Sequence, residues 1–237
     1  MKNGMYGFTL AEVLVTLGII GVVSAMTVPS LMQNYQRQSY VTQLHKVYNE
    51  LNQAGMSFIN SKNALNMKEA GFSGNEGTFL SSNFKVVKDC GNKPDTCFAD
   101  TYNSMGGKKI EHIITNTMSK CVVIASGAAM CLGSAVETGL GIDGKGTWSY
   151  GAARVYVDIN GRQGPNILGR DFFDFVINDD GSVGGLQSLH GSSMDSELAT
   201  LKTHCSSYEK PLASQQLTEN DGACFNYLLK NNWEMDY

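Results

Sequence analysis

An almost uninterrupted apolar stretch near the N-terminus constrains this chain more than any other feature. Residues 8–28 read FTLAEVLVTLGIIGVVSAMTV. From Phe8 up to Arg37, Glu12 is the only charged residue. About 20 apolar residues are enough for a helix to cross the hydrocarbon core of a bilayer. Lys2 precedes the stretch and no acidic residue does, so we expect the short N-terminal end to stay in the cytoplasm.

Three interpretations of this stretch compete. It could be a buried helix of a soluble protein, a cleaved secretory signal with Val23-Ser24-Ala25 as the peptidase site, or a retained membrane helix. Glu12 favours the third, because a carboxylate within a membrane segment costs about 2.5–3.5 kcal/mol on insertion scales and needs a partner. A signal peptide gains nothing from that acid. A subunit that assembles side by side with its neighbours can pair it with a positive charge.

Cleavage between Gly7 and Phe8 would create such a charge, an α-amino group about one helical turn before Glu12. Residues 7–12 read GFTLAE, and with the apolar run behind them they resemble the class III signal of type IV prepilins and type II secretion pseudopilins. The resemblance implies that a prepilin peptidase cuts after Gly7 and methylates the amine of Phe8. It also implies that Glu12 pairs with the terminal amine of an adjacent subunit. Pro29 falls where many pilins carry a helix-distorting proline.

The predicted organisation has three parts: a leader at 1–7, an N-terminal helix at 8–58 and a globular head at 59–237. The helix is expected to span the membrane over about 8–30 and then to become amphipathic. Small residues at Gly18 and Gly21 offer surfaces where neighbouring helices could approach closely in lipid. Beyond Pro29 the apolar positions recur at spacings of three, four or their sums, which predicts one helical face: Leu31, Tyr35, Val41, Leu44, Tyr48, Leu51 and Phe58.

The head is expected to be a small antiparallel β-sheet packed on the second half of the helix, which gives an α+β fold class with disulfide-stapled loops. A short helix is expected over Cys224–Trp233. Residues 60–120 are rich in Gly, Asn, Ser and Lys and are interpreted as a loop-rich connection with a short helix around Ile110–Met118. Strands are predicted from β-branched apolar runs and the turn dipeptides that follow them, at Cys121–Ile124, Ala129–Leu132, Ala153–Ile159, Phe172–Ile177 and Ser182-Val183.

Six cysteines are present, an even number without C-x-x-C spacing, which argues against a tetrahedral zinc site or a thioredoxin-like motif. Disulfides are the simpler interpretation in an oxidising compartment. In sequence order the cysteines form three local pairs, although six cysteines allow fifteen connectivities. The candidates are Cys90, Cys97, Cys121, Cys131, Cys205 and Cys224.

The segment from Asp158 to Asp171 combines oxygen donors with turn residues. Asp158, Asn160 and Asp171 are ligand types that calcium prefers, so they are candidate metal ligands. The segment also resembles a loop in the heads of some prepilin-like proteins, and some pseudopilins bind calcium there. It lacks an EF-hand's third acidic position and distal glutamate, and a structured hairpin loop explains it without any metal. We expect no other cofactor.

Catalytic and nucleic-acid-binding motifs are absent from the sequence. The four histidines share no H-E-x-x-H spacing, and no G-x-S-x-G or phosphate-binding glycine loop occurs. Basic residues do not cluster, so no nucleic-acid partner is expected. The sequence therefore predicts a non-enzymatic pilus or pseudopilus subunit in the bacterial cytoplasmic membrane, with its head outside. Expected partners are copies of itself, other pilins, prepilin peptidase and the inner-membrane assembly platform. The alternative is a binding domain or hydrolase that uses the helix only as an anchor or signal.

Overall fold

The computed structural model describes residues 7, 9–111, 113–114, 118–133, 136–138, 149–185, 194–207 and 222–237. The chain divides into two compact units, Met1–Ser39 and Tyr40–Tyr237. Every described residue of the first unit up to Gln36 is exposed, whereas the second unit contains the buried core.

Four α-helices lie within the described residues. The first, α1 (Leu10–Ser61), continues through Pro29 and buries one face in the second unit, from Val41 to Ile59. That buried face includes four positions whose spacing indicated it: Val41, Leu44, Leu51 and Phe58. The other helices are α2 (Glu76–Asn83), α3 (Met194–Ser206) and α4 (Ala223–Lys230).

A seven-stranded antiparallel sheet forms the centre of the second unit. The strands of the second unit are β1 (Val86–Gly91), β2 (Thr101–Asn103), β3 (Lys109–Glu111), β4 (Lys120–Ile124), β5 (Ala129–Leu132), β6 (Val136–Thr138), β7 (Ser149–Asp158), β8 (Phe172–Asn178) and β9 (Val183–Gly184). In the seven-stranded sheet they follow the order β1-β4-β5-β7-β8-β9, and β6 pairs with β7. A second sheet joins β2 and β3.

Alternation along the strands gives the sheet two buried faces. One face packs against α1, α2 and α4, with Leu44, Phe79, Val155 and Phe225 among its fully buried side chains. The other face packs against the segment that follows Cys90, through residues such as Phe98 and Tyr102. This second unit is therefore a three-layer arrangement in which the sheet lies between helices and a layer of short strands and loops.

The α+β fold class is confirmed, and the segment between α1 and β4 differs most from its prediction. The helix expected around Ile110–Met118 is wrong at its beginning, because Lys109–Glu111 pairs with β2 as a strand. Ile113, Ile114 and Met118 are not helical, and residues 112 and 115–117 lie outside the described residues. Apolar contacts with the sheet decide this structure, since Ile110, Ile113 and Met118 are all buried against it.

A contact between backbones holds α1 against the turn that joins β8 and β9. A Cβ atom added to Gly55 would overlap the carbonyl oxygen of Gly181, and it would lie 2.9 Å from the carbonyl carbon. The side chain of Asn52, one turn earlier, accepts a hydrogen bond of 2.9 Å from the backbone N–H of Val183. Only glycine at position 55 permits this approach.

We predict that Gly55→Ala destabilises the head, because the helix and the turn, which is closed by hydrogen bonds between Gly181 N–H and Asn178 and between Asn178 N–H and Ser182, cannot separate without breaking backbone hydrogen bonds. The expected loss is about 1–3 kcal/mol in the free energy of unfolding, measured by denaturant titration of the purified full-length chain in detergent. Gly77→Ala is the matched control. Its added Cβ would meet only the Lys120 side chain at 3.7 Å, so helix propensity should leave its stability equal or higher by up to about 1 kcal/mol. Equal stability of the two variants would contradict the prediction.

Candidate functional sites

The N-terminal site begins with a capped helix. Thr9 lies immediately before the first residue of α1, and Glu12 occupies the third helical position. The carboxylate oxygen Oε2 of Glu12 accepts hydrogen bonds from the backbone N–H and the hydroxyl of Thr9, each at 2.8 Å. In return, the Glu12 N–H donates to the Thr9 hydroxyl at 3.3 Å. This is a capping box, which satisfies backbone donors that would otherwise lack partners.

The capping box gives Glu12 a role that the sequence reasoning missed. The pattern Thr-x-x-Glu immediately before an apolar run was its sequence signal. Because the carboxylate is already hydrogen-bonded within its own chain, its cost in an apolar environment is lower than for an isolated acid. Gly7 is exposed, whereas Phe8 lies outside the described residues.

The first unit presents an apolar helix surface without any covering. By length and composition, α1 is long and apolar enough to cross a membrane, and none of its most apolar 18 residues is buried. A Cβ added at Gly18 or Gly21 would meet nothing within 4 Å. The exposed apolar side chains are Leu10, Val13, Leu14, Val15, Leu17, Ile19, Ile20, Val22, Val23, Met26, Val28, Leu31, Met32 and Tyr35.

All six cysteines are paired, and the pairs follow sequence order. Cys90–Cys97 joins the end of β1 to the residue after a 3-10 turn, with a Cα–Cα distance of 6.1 Å. Cys121–Cys131 links β4 to β5 at 4.1 Å, and Cys205–Cys224 links α3 to α4 at 4.6 Å. Cys90–Cys97 lies on the side of the sheet covered by short strands and loops, and Cys205–Cys224 lies on the side covered by helices. Cys121–Cys131 lies within the sheet.

The loop from Asp158 to Asp171 joins β7 to β8 and is built around two carboxylates that are 0% exposed. Asp158 accepts a hydrogen bond from the Tyr102 hydroxyl at 2.5 Å on one oxygen. Its other oxygen accepts the backbone N–H of Asn160 at 3.1 Å. Asn160 begins a turn, as the sequence indicated, but β8 starts only at Phe172, so the connection is longer than a tight hairpin.

Asp171 organises the far end of the same loop. Its two oxygens accept the backbone N–H groups of Ile167 at 2.6 Å and of Asn166 at 2.7 Å. The Asn160 side chain donates to the carbonyl of Gly164 at 3.0 Å. The structure therefore brings Asp158, Asn160 and Asp171 into one loop, where the carboxylates satisfy backbone donors.

Burial shifts the acid–base behaviour of this loop. Removal from water, together with the nearby charge of Asp171, raises the pKa of Asp158 to about 8, although hydrogen bonds oppose the shift. Burial also raises the pKa of Asp171 and of Tyr102. Within the described residues no ion pair involves either carboxylate. Two buried anions without a cation are costly, which favours the protonated form of Asp158 at neutral pH.

Calcium binding by Asp158, Asn160 and Asp171 stays a prediction. All four carboxylate oxygens already accept a hydrogen bond from the chain. The side-chain oxygens of Asn160 and Asn166 are buried without a hydrogen-bond donor, and water or a cation would satisfy them. Among the described residues, no group of three or more His, Cys, Asp or Glu residues could hold a metal ion.

The raised pKa of Asp158 predicts that the head loses stability as the pH rises. Between about pH 4 and the folded pKa of about 8, the folded state binds a proton that the unfolded chain has released. Stability should therefore fall from pH 5 to pH 8, by at most about 1.4 kcal/mol per pH unit. Asp158→Asn should flatten this dependence, whereas Glu111→Gln, at an exposed carboxylate, should leave it unchanged. Denaturant titrations of the full-length chain in detergent with EDTA test this. An unchanged slope in Asp158→Asn would contradict it.

Comparison with known protein families gives a match at the N-terminus, where the capping box and the apolar helix lie. Residues 2–28 match the family described as the prokaryotic N-terminal methylation motif. No curated protein and no solved structure matches the chain. The long apolar helix, antiparallel head and three disulfides match the α+β fold of a pilin. Residues 2–28 thus carry the prepilin-type cleavage and methylation signature of type IV pilins and pseudopilins.

Proposed function

We propose that this protein is a structural subunit of a type IV pilus or a type II secretion pseudopilus. One observation carries the proposal: within the methylation signature of residues 2–28, a capped Glu12 stands at the beginning of an exposed apolar helix. In the cytoplasmic membrane the helix would anchor the subunit, with the head on the far side. In a filament the same helix would pack against copies of itself or other pilins.

Processing comes first in the proposed sequence of events. Prepilin peptidase cuts between Gly7 and Phe8 and methylates the new amine. The exposure of Gly7 supports access of the peptidase to this bond. Cleavage leaves the Thr9 amide in place, because Thr9 follows the new terminal residue. The capping box between Thr9 and Glu12 would therefore survive in the mature chain.

Assembly then depends on apolar burial and on charge. On leaving the membrane, the exposed apolar side chains of the first unit must exchange lipid for neighbouring helices, because surface left in water would cost roughly 25 cal/mol per Å². Van der Waals packing between helices supplies the gain relative to lipid. Both Thr9 hydrogen bonds go to the same carboxylate oxygen of Glu12. An ionised carboxylate has about four acceptor positions, so a neighbour's terminal ammonium can bind the same group. Extraction from the membrane would involve the inner-membrane assembly platform.

Mass spectrometry of the mature N-terminus tests the processing step. The sample is the native membrane fraction or sheared surface filaments from cells that express the full chain. We expect a chain that begins with N-methylated Phe8. A chain that begins at Met26 would identify a cleaved secretory signal, and an uncut Met1 would leave only a membrane anchor. Either of these results would overturn the proposal.

Substitutions of Glu12 test the assembly step. Glu12→Gln keeps an oxygen that can accept the Thr9 hydrogen bonds but removes the charge, and Glu12→Val removes both. We expect both variants to insert into the membrane and to enter filaments at least about tenfold less, since a loss of about 1.4 kcal/mol corresponds to a factor of ten. Quantification of the subunit in sheared filaments and in membranes measures this.

Glu50→Gln is the matched control, because Glu50 lies on the same helix and, within the described residues, its ion pair is a long one with Lys46 at 3.8 Å. It should assemble like the unmodified chain. Normal incorporation of Glu12→Gln would remove the charge from the mechanism. Loss of membrane insertion in that variant would instead assign Glu12 a role in the anchor.

A further inference from the structure

One face of the central sheet is closed by a layer of short strands and loops. We call the described residues between Cys97 and Met118 the outer layer. Its buried side chains belong to one apolar cluster with residues of β4, β5, β7 and β8. Aromatic rings hold it in place, since Phe98 and Tyr102 contact Phe172 of β8 with ring centroids 5.9 and 5.1 Å apart. The side chains that form it include Phe98, Tyr102, Ile110, Ile113, Ile114 and Met118.

The disulfide Cys121–Cys131 lies within that cluster. Its two cysteines are directly opposite each other on β4 and β5. Along the same row of the sheet, Gly91 of β1 lies beside Cys121 and Tyr156 of β7 lies beside Cys131. Both cysteines are 0% exposed. The bond is therefore enclosed by neighbouring strands at its sides and by the outer layer at the face of the sheet.

The other two disulfides lie at the margins of the head. Cys90 is on β1, which ends the strand order of the sheet, and is 7% exposed. Cys224 is in the first turn of α4 and is 8% exposed. Thiol–disulfide exchange requires an attacking thiolate to reach one of the two sulfurs. In each of these pairs one cysteine keeps some exposure while its partner, Cys97 or Cys205, is 1% or 0% exposed, whereas Cys121 and Cys131 are both 0% exposed.

The hairpin that carries Cys121 and Cys131 is local in sequence. The turn between β4 and β5 is closed by hydrogen bonds of 2.9 Å, from Ile124 N–H to Ala128 and from Gly127 N–H to Ile124. Gly127 has a φ of +93°, which glycine adopts without strain. Hairpins form in about 1–10 μs, and contacts local in sequence form faster than distant ones. The two thiols can therefore meet while the rest of the head is still open.

We propose that Cys121–Cys131 is oxidised before the outer layer docks and is then sealed by it. In the oxidation, the two thiols form the S–S bond and pass two protons and two electrons to a disulfide-bearing oxidant, which becomes a dithiol. The partner is thus a thiol–disulfide oxidant that acts on the partly folded head. The inference depends only on the second unit and stands whether or not the chain assembles into a filament.

The rate at which each disulfide is reduced in the folded protein tests whether the outer layer protects Cys121–Cys131. The purified full-length protein in detergent is exposed to dithiothreitol, free thiols are blocked with N-ethylmaleimide at intervals, and peptides are quantified by mass spectrometry. We expect Cys121–Cys131 to be reduced at least about tenfold more slowly than the other two bonds, because it requires opening of a packed layer. In concentrated guanidinium chloride the difference should disappear. Equal rates in the folded protein would overturn the proposal.

A matched pair of variants identifies the outer layer as the seal. Phe98 and Phe79 are 1% and 0% exposed, but Phe98 belongs to the outer layer and Phe79 to the helix-side core. Phe98→Ala should accelerate the reduction of Cys121–Cys131 relative to Cys205–Cys224, which lies in the helix-side core, and Phe79→Ala should not. Phe98→Leu and Phe79→Leu replace them if an alanine variant fails to fold. No selective acceleration at position 98, or an equal one at position 79, would overturn the proposal.

Discussion

The second unit depends on the burial of one helical face of α1 against the central sheet. That face contributes large side chains such as Leu44 and Leu51, both 0% exposed, to a core that includes β7, β8 and α4. The contact of Gly55 with Gly181 brings the two backbones together where the face ends. The same helix continues N-terminally, so α1 combines a buried core element and an exposed apolar surface in one continuous sequence.

At two places in this protein, a carboxylate is stabilised by hydrogen-bond donors of its own chain. Glu12 begins an apolar helix and is stabilised by the donors of Thr9. Asp158 and Asp171 are fully buried and bind backbone donors of their own loop together with the Tyr102 hydroxyl. An acid without such donors would destabilise either position. The difference is that Glu12 is exposed, whereas the loop carboxylates are buried in the interior of the head.

Local patterns in the sequence predicted much of this architecture. The apolar run, the helical spacing of Val41, Leu44 and Leu51, and the β-branched segments around β4, β5 and β8 all depend on nearby residues. The segment between α1 and β4 could not be predicted in this way. Its strands are short, and its apolar residues are held by contacts with Tyr156 and Phe172, which are distant in sequence.

The candidate sites show the same division between local and distant causes. The GFTLAE segment was recognisable because all of its chemistry lies within six residues, and even its capping box had a local signal. The loop carboxylates were visible as oxygen donors, but their burial was not, since it requires Tyr102 from the outer layer. That distant contact changes the chemistry: it turns an apparently solvated turn into a buried pair, in which hydrogen bonding within the chain competes directly with any metal ion.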